Sequence, residues 1–240
     1  MSVSRGLGRL QYALSLESRQ RKLDLFWKVM APDLGERVLN IGATPPHLGE
    51  ALTGEQREGC LEQPEQEPRW KDLKVVGLNI DHDNSKHYAE FYRGTNRVAL
   101  TADACRLPFA DKSFDIVFSN AVIEHVPSVL QKRMAEEIMR VGRSWFITTP
   151  NFWYPMEMHH KLPLFQFFPR TVQRAIQLRF HTWPESETIQ LLSARRFAAL
   201  FPGSTLRKLR VTFWPETLIV FRRDARGQSH DLGVMEEQLA

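Results

Sequence analysis

Apolar positions along this chain fall into two rhythms that alternate. Leu23, Phe26, Trp27 and Met30 recur at i, i+3, i+4 and i+7, the single stripe of an amphipathic helix predicted from about Ser15 to Met30 and stopped by Pro32. Short runs of strand length follow: Arg37 to Ile41, with Gly42 opening a turn, and Lys74 to Ile80, carrying Val75, Val76 and Leu78. Val98 to Ala102 is a third run, ending at Asp103, and Phe114 to Phe118 a fourth, ending at Ser119 and Asn120. Pro108 and the cluster Ala110-Asp111-Lys112-Ser113 break the chain between them. The helical period returns in Leu130, Met134, Ile138 and Val141, from near Pro127-Ser128 to Gly142, and Ser144 to Thr149 reads as a further strand closed by Pro150.

Two stretches break the alternation. Gly54 to Asp72 is rich in Glu, Gln, Gly and Pro without apolar periodicity, and reads as a surface insertion. Asn151 to Pro184 is irregular and aromatic, with Trp153, Tyr154, Phe165, Phe167 and Phe168 among Pro155, Pro163 and Pro169; it reads as a substrate-side insertion or lid. Beyond it, Ser193 caps a helix predicted to Phe201, ended by Pro202-Gly203. Two last strands, Leu206 to Phe213 and Thr217 to Phe221, are joined by Trp214-Pro215-Glu216.

Length and composition bound the picture. At 240 residues, with 42% hydrophobic and 25% charged, the chain suits one sizeable α/β domain, 1–240, comprising an N-terminal helical segment 1–33 and the insertion 151–184. Its two cysteines, Cys60 and Cys105, lack the spacing of a zinc site or a disulfide framework, and no apolar run has signal-peptide or bilayer-spanning length, so a reduced cytoplasmic setting is expected. The net charge of +4 is weighted late, from Arg170, Arg174 and Arg179 through Arg222 and Arg223. Such an excess fits a solvated face, an acidic substrate, anionic lipid or RNA, but no aromatic-interleaved nucleic-acid motif accompanies it.

Ala102 to Val126, ADACRLPFADKSFDIVFSNAVIEHV, packs two strand ends and an acidic turn into one cassette, and in open α/β sheets that edge is where ligands bind. From Asp103 to Val126 the run is similar to the class I S-adenosylmethionine-dependent methyltransferases, in particular the type 11 methyltransferase domain, and a weaker resemblance extends from about Ser18 to Phe221. The resemblance implies a doubly wound, mostly parallel seven-stranded sheet with helices on both faces and a C-terminal antiparallel hairpin, and S-adenosyl-L-methionine as cofactor.

It also implies roles for particular residues. Asp103, followed by Ala104, stands where the family contacts the adenine amino group. The family's ribose-binding acidic position falls on Asn79, with Asp81 two residues on and facing the same side if the strand persists. The first turn, Asn40-Ile41-Gly42-Ala43-Thr44-Pro45-Pro46, keeps only the first of the family's glycines, and each proline removes an N–H donor. Asn120 and Ala121 would lie along the methionine part and the methyl group.

Methyl transfer is a direct displacement, so the protein mainly supplies alignment, and only a poorly ionised nucleophile needs a base. His125, Glu157, His159 and His160 are the candidates, together with Glu124 and His181. Glu124-His125 reads equally as a hydrogen-bonded helix-entry pair. No H-E-x-x-H or paired CxxC motif is present, and no metal is expected. The expected acceptor is a small or lipid-like molecule. Residues 162–179 form either a substrate pocket, core packing, or an amphipathic element against a membrane surface. Two other readings stay open: a catalytically inactive binding protein on the methyltransferase fold, motivated by the lost glycines and Asn79, and RNA or protein methylation, motivated by the late basic excess.

Overall fold

The computed structural model describes residues 17–44, 68–157, 162–180 and 189–224. Its centre is a seven-stranded sheet in the order β3-β2-β1-β4-β5-β9-β8. The strands are β1 (Arg37–Ile41), β2 (Lys74–Asn79), β3 (Arg97–Thr101), β4 (Phe114–Asn120), β5 (Gly142–Pro150), β8 (Thr205–Leu209) and β9 (Thr217–Arg222). The first five are parallel, whereas β9 runs antiparallel between β5 and β8. The doubly wound sheet with its closing antiparallel pair is the architecture expected from the cassette.

Both faces are covered by helices. On one, helix α1 (residues 17–30) lays Phe26 and Met30 on Val38, Ile116, Phe118 and Phe146. On the other, α3 (Gln131–Val141) and α5 (Ala194–Leu200) cover Leu39, Val117, Ile147 and Val220 with Met134, Ile138 and Phe197. Adjacent residues of β1, Val38 and Leu39, thus serve opposite cores, the two-residue period of a strand buried on both sides. Ser193 caps α5 as expected, its hydroxyl accepting from Arg196 N–H.

Several expectations change. The end of the supposed surface insertion is a 3₁₀ turn, Pro68–Asp72, that drives Trp70 fully into the core, stacked on Phe26 at 5.3 Å. Its first part, 54–67, lies outside the described residues. β2 stops at Asn79 rather than Ile80, whose side chain is 73% exposed. A helix without an apolar stripe, α2 (His82–Phe91), covers β2: Tyr88 seats on Gly77, where a Cβ would come within 2.5 Å of the ring. β8 ends at Leu209, four residues short of the predicted Phe213, because the chain leaves the β9 ladder there to form the loop to Glu216.

The stretch after Pro150 is more ordered than its composition suggests. It holds a two-stranded ribbon, β6 (Met156–Glu157) and β7 (Leu162–Pro163), a 3₁₀ turn at Phe165–Phe167 anchored by buried Phe165, and α4 (Arg170–Phe180). Among the described residues no helix is long and apolar enough to cross a membrane.

Candidate functional site

Strand register aligns the site. Ile41 is level with Leu78 and Ser119, Asn79 with Thr101, and Asn120 with Thr148. One step beyond the line therefore stand Gly42, Asn79, Thr101, Asn120 and Thr148, on five adjacent strands whose ends span about 19 Å at ordinary strand spacing. The chain leaves β1 toward β2 and β3, then crosses back to place β4 on the other side of β1. That reversal opens a crevice between β1 and β4, the place where open α/β sheets bind ligands.

At the crevice, Gly42 takes φ +86°, and a Cβ there would lie 2.4 Å from Val122 Cγ2, so only glycine lets the β1 turn meet the loop after β4. The N–H groups of Gly42 and Ala43 both donate to Leu78 O, at 2.8 and 3.1 Å. Asn79 braces the same turn, its amide donating to Ala43 O at 2.8 Å while its oxygen accepts from Asp81 N–H at 2.9 Å. Each half of that amide keeps one hydrogen or one lone pair for a further partner. Because β2 has ended, Asp81 does not continue the strand face; it caps α2, accepting from Asn84 N–H at 2.8 Å.

At the end of β3, the Ala102 N–H donates to Asn79 O, which holds the β2 and β3 termini together. Asp103 is exposed, and its Oδ1 accepts from Cys105 N–H at 2.8 Å, which fixes the turn. Ala104 and Cys105 are buried beneath it. Burial, with the Asp103 carboxylate next, pushes the Cys105 thiol up to about 11, so it stays protonated and inert at neutral pH.

The β4 end is the most built part. Asn120 Oδ1 accepts from Thr148 Oγ1 at 2.7 Å and from Lys22 Nζ, of α1, at 2.9 Å. Lysine only donates, so this pair fixes the amide orientation and turns the Asn120 NH₂ the other way. Ala121 follows with φ +56°, a costly conformation for a non-glycine residue, held by its N–H donating to Thr148 O. Burial, then the neighbouring Arg19 charge, brings Lys22 down to about 8, with Glu124 and Glu216 acting in the opposite sense. Glu216 is itself raised, chiefly by burial. Fully buried Glu124 accepts from Thr149 Oγ1 at 3.0 Å.

Of the expected residues, the structure gathers Asn40, Gly42, Ala43, Thr44, Asn79, Asp103, Ala104, Asn120 and Ala121 along one sheet edge, with Asp81 just outside. His125 ends the 3₁₀ turn Ile123–His125 and is exposed. The backbone of Glu157 belongs to β6, and His159, His160 and His181 lie outside the described residues. Sequence reasoning missed Lys22 and Ile80. Lys22 precedes Phe26 by four residues and so shares its inward face; Ile80 follows Asn79 as an exposed apolar residue beside the crevice.

Strand order and switch point define a Rossmann-like, doubly wound α/β fold. Residues 61–144 match the type 11 family model, described as a methyltransferase domain. Rv1509 of Mycobacterium tuberculosis, an uncharacterized protein, is 29% identical over 110 residues, covering 41% of this chain and 37% of that protein. Among solved structures, the PH0226 protein of Pyrococcus horikoshii aligns with TM-score 0.54 at 15% identity, over 87% of this chain and 91% of its own. A SAM-dependent methyltransferase of Methanosarcina mazei aligns with TM-score 0.51 at 14% identity, over 80% and 94%. The family match covers 84 of the 240 residues, and the chain spans little more than a third of its Mycobacterium relative.

Proposed function

We propose that this protein transfers the methyl group of S-adenosylmethionine to a small or lipid-like acceptor. The observation that carries the reading is the register row that puts Gly42, Asn79 and Asn120 at one level across the switch point, with Asp103 just beyond it. The residues fit the cofactor from end to end. Asp103 offers a carboxylate to the adenine amino group, and exposed Ile80 an apolar seat for the ring. Asn79 would offer its amide to the ribose, with Asp81 beside it as the cap of α2. Gly42 admits close approach to the amino acid part, where a side chain would collide. When bound, the cofactor supplies a methyl group on a positively charged sulfur, which needs an aligned nucleophile more than a strong base.

Asn120 and Lys22 stand at the acceptor end. The Asn120 amide, fixed by Thr148 and Lys22, orients the acceptor oxygen or nitrogen, and Lys22, partly deprotonated near pH 8, takes up its proton. The rim of this end is apolar and aromatic, which favours an acceptor with a hydrocarbon part.

Titration calorimetry with S-adenosylmethionine tests the reading. Binding is expected, and Asp103→Ala should weaken it by about 1 to 3 kcal/mol, the loss of one hydrogen-bond partner to a charged acceptor. No heat from a folded sample at millimolar cofactor would overturn the cofactor site. With labelled donor and fractionated lysate, label is expected in an organic-soluble fraction; label in RNA or protein would move the acceptor to those classes.

A further inference from the structure

We infer that α4 and the aromatic turn before it form a docking face for an anionic lipid bilayer. The helix leaves its apolar residues largely uncovered, with Val172 and Leu178 exposed and Ile176 half-exposed. Its polar side turns to the protein, with Gln173 Nε2 donating to Phe165 O and Phe168 O at 3.2 and 2.9 Å and Arg170 reaching Gln190 at 3.4 Å. Its apolar side, Val172, Ala175 and Ile176, lines an open groove of about 390 Å³ together with Thr171 and Arg179. None of the described side chains of α4 is buried. An amphipathic helix ordinarily buries that stripe against its own domain, and here no described residue of the stripe is buried.

The neighbouring turn does the same with larger groups. Leu164, Phe167 and Phe168 are exposed, although Phe165 between them is buried. Leu164 holds φ +59°, an unfavourable conformation for its side chain, while its N–H donates to Pro155 O. Trp153 packs on Phe167 at 5.8 Å and is itself exposed. The patch lies beyond Pro150, on the carboxyl edge of the sheet, and on that same edge the β8–β9 loop carries Phe213, 92% exposed.

Charge selects the occupant. From Leu162 to Phe180 there is no acidic residue, while Arg170, Arg174 and Arg179 are all present. A second copy of this face would bring like charges together, and a nucleic acid offers no apolar medium for the stripe and the rings. An anionic bilayer satisfies both: acyl chains take the apolar side, headgroups take the arginines, and aromatic rings settle at the boundary. Each arginine near such a surface contributes about a fivefold gain in partition.

The test is co-sedimentation of the full chain with phosphatidylcholine vesicles with and without phosphatidylglycerol; it needs no cofactor and is independent of methyl transfer. Binding is expected only to the anionic vesicles and should weaken as salt is raised. Val172→Glu with Ile176→Glu should abolish it, and Arg174→Gln with Arg179→Gln should cut it roughly 25-fold. Should the glutamate pair unfold the chain, the glutamine pair and the salt series still decide. No partition onto anionic vesicles, partition unmoved by the substitutions, or a dimer in light scattering that the glutamate pair dissolves would each overturn the assignment.

Discussion

Lys22 shows how one residue ties the N-terminal helix to the chemistry of the sheet edge. Its ammonium reaches Asn120 across 98 residues of sequence and sits among Glu124, Glu216 and Thr148. Its folded value, about 8, is below that of a free lysine, so between pH 8 and about 10.5 the unfolded chain holds the extra proton and stability rises with pH. Below pH 8 the full cost of keeping a desolvated cation is present. Lys22→Met keeps the stem and removes the charge; relative to the wild type it should lose that rise, a difference on the order of 3 kcal/mol between the two ends of the window. Urea denaturation of both proteins at several pH values measures it. Parallel stability curves would mean that Lys22 is solvated. The same substitution should lower methyl transfer more than cofactor binding, because Lys22 touches Asn120 and not the β1 or β3 termini. In the sequence, Asp103, Gly42 and Asn120 were legible because each stands where an apolar run stops. Lys22 was not, because its partner Asn120 lies 98 residues away in the sequence.

At the scale of elements, the cassette that carries the family resemblance proves to be largely a fastening. Arg140, near the end of α3, grips both oxygens of Glu137 at 2.8 Å, Asp111 at 2.9 Å, and the carbonyls of Leu107 and Phe109. Glu137 in turn accepts from Leu107 N–H at 2.7 Å. The L-P-F-x-D segment is thereby locked onto α3, and the β3 and β4 ends, with Asp103 and Asn120, are held in place. The Arg140 hydrogen bonds hold the Glu137 carboxyl below the usual carboxylate range. Its contribution is present above the unfolded value and disappears as pH falls through the folded one. Arg140→Leu should cost about 3 kcal/mol at neutral pH, since it strands a mostly buried carboxylate and two carbonyls, and the gap to the wild type should narrow as pH falls because the variant has no depressed carboxyl left to protonate. Thermal melts from neutral to acid pH check both. Elements with a periodic apolar stripe were legible: α1, α3, α5 and the parallel strands. Helix α2 was not, because its seat is written elsewhere: only Ser85 and Tyr88 are buried, and the space for Tyr88 is made by Gly77 in β2. Helix α4 was hidden among prolines and aromatics, and its apolar side faces away from the core.

Across the described residues, two of the aromatic assemblies differ in a way that composition alone cannot show. One lies inside: Phe26 stacks on Trp70 at 5.3 Å and meets Phe118 and Phe146 edge-on at 5.3 and 5.4 Å, clamping α1 and the 68–72 turn onto the sheet. The other, Phe152, Trp153 and Phe167, shows the same ring geometry at 5.1 to 5.8 Å but stands at the rim of the carboxyl edge, with Trp153 and Phe167 exposed. Equal contact geometry does not mean equal stabilisation, because only the first assembly removes its apolar area from water. Phe26→Ala should therefore cost about 3 to 5 kcal/mol, the transfer loss plus an uncollapsed cavity beneath α1. Phe167→Ala should cost well under half of that, about 1 kcal/mol. Denaturant titrations of the two variants at neutral pH decide the matter. The cavity under α1 would also loosen Lys22 from Asn120, so the first variant should lose transferase activity before it unfolds. Similar costs at both positions would place the rim aromatics in the core and leave the carboxyl edge without the apolar surface on which both the proposed acceptor and the proposed bilayer contact rest.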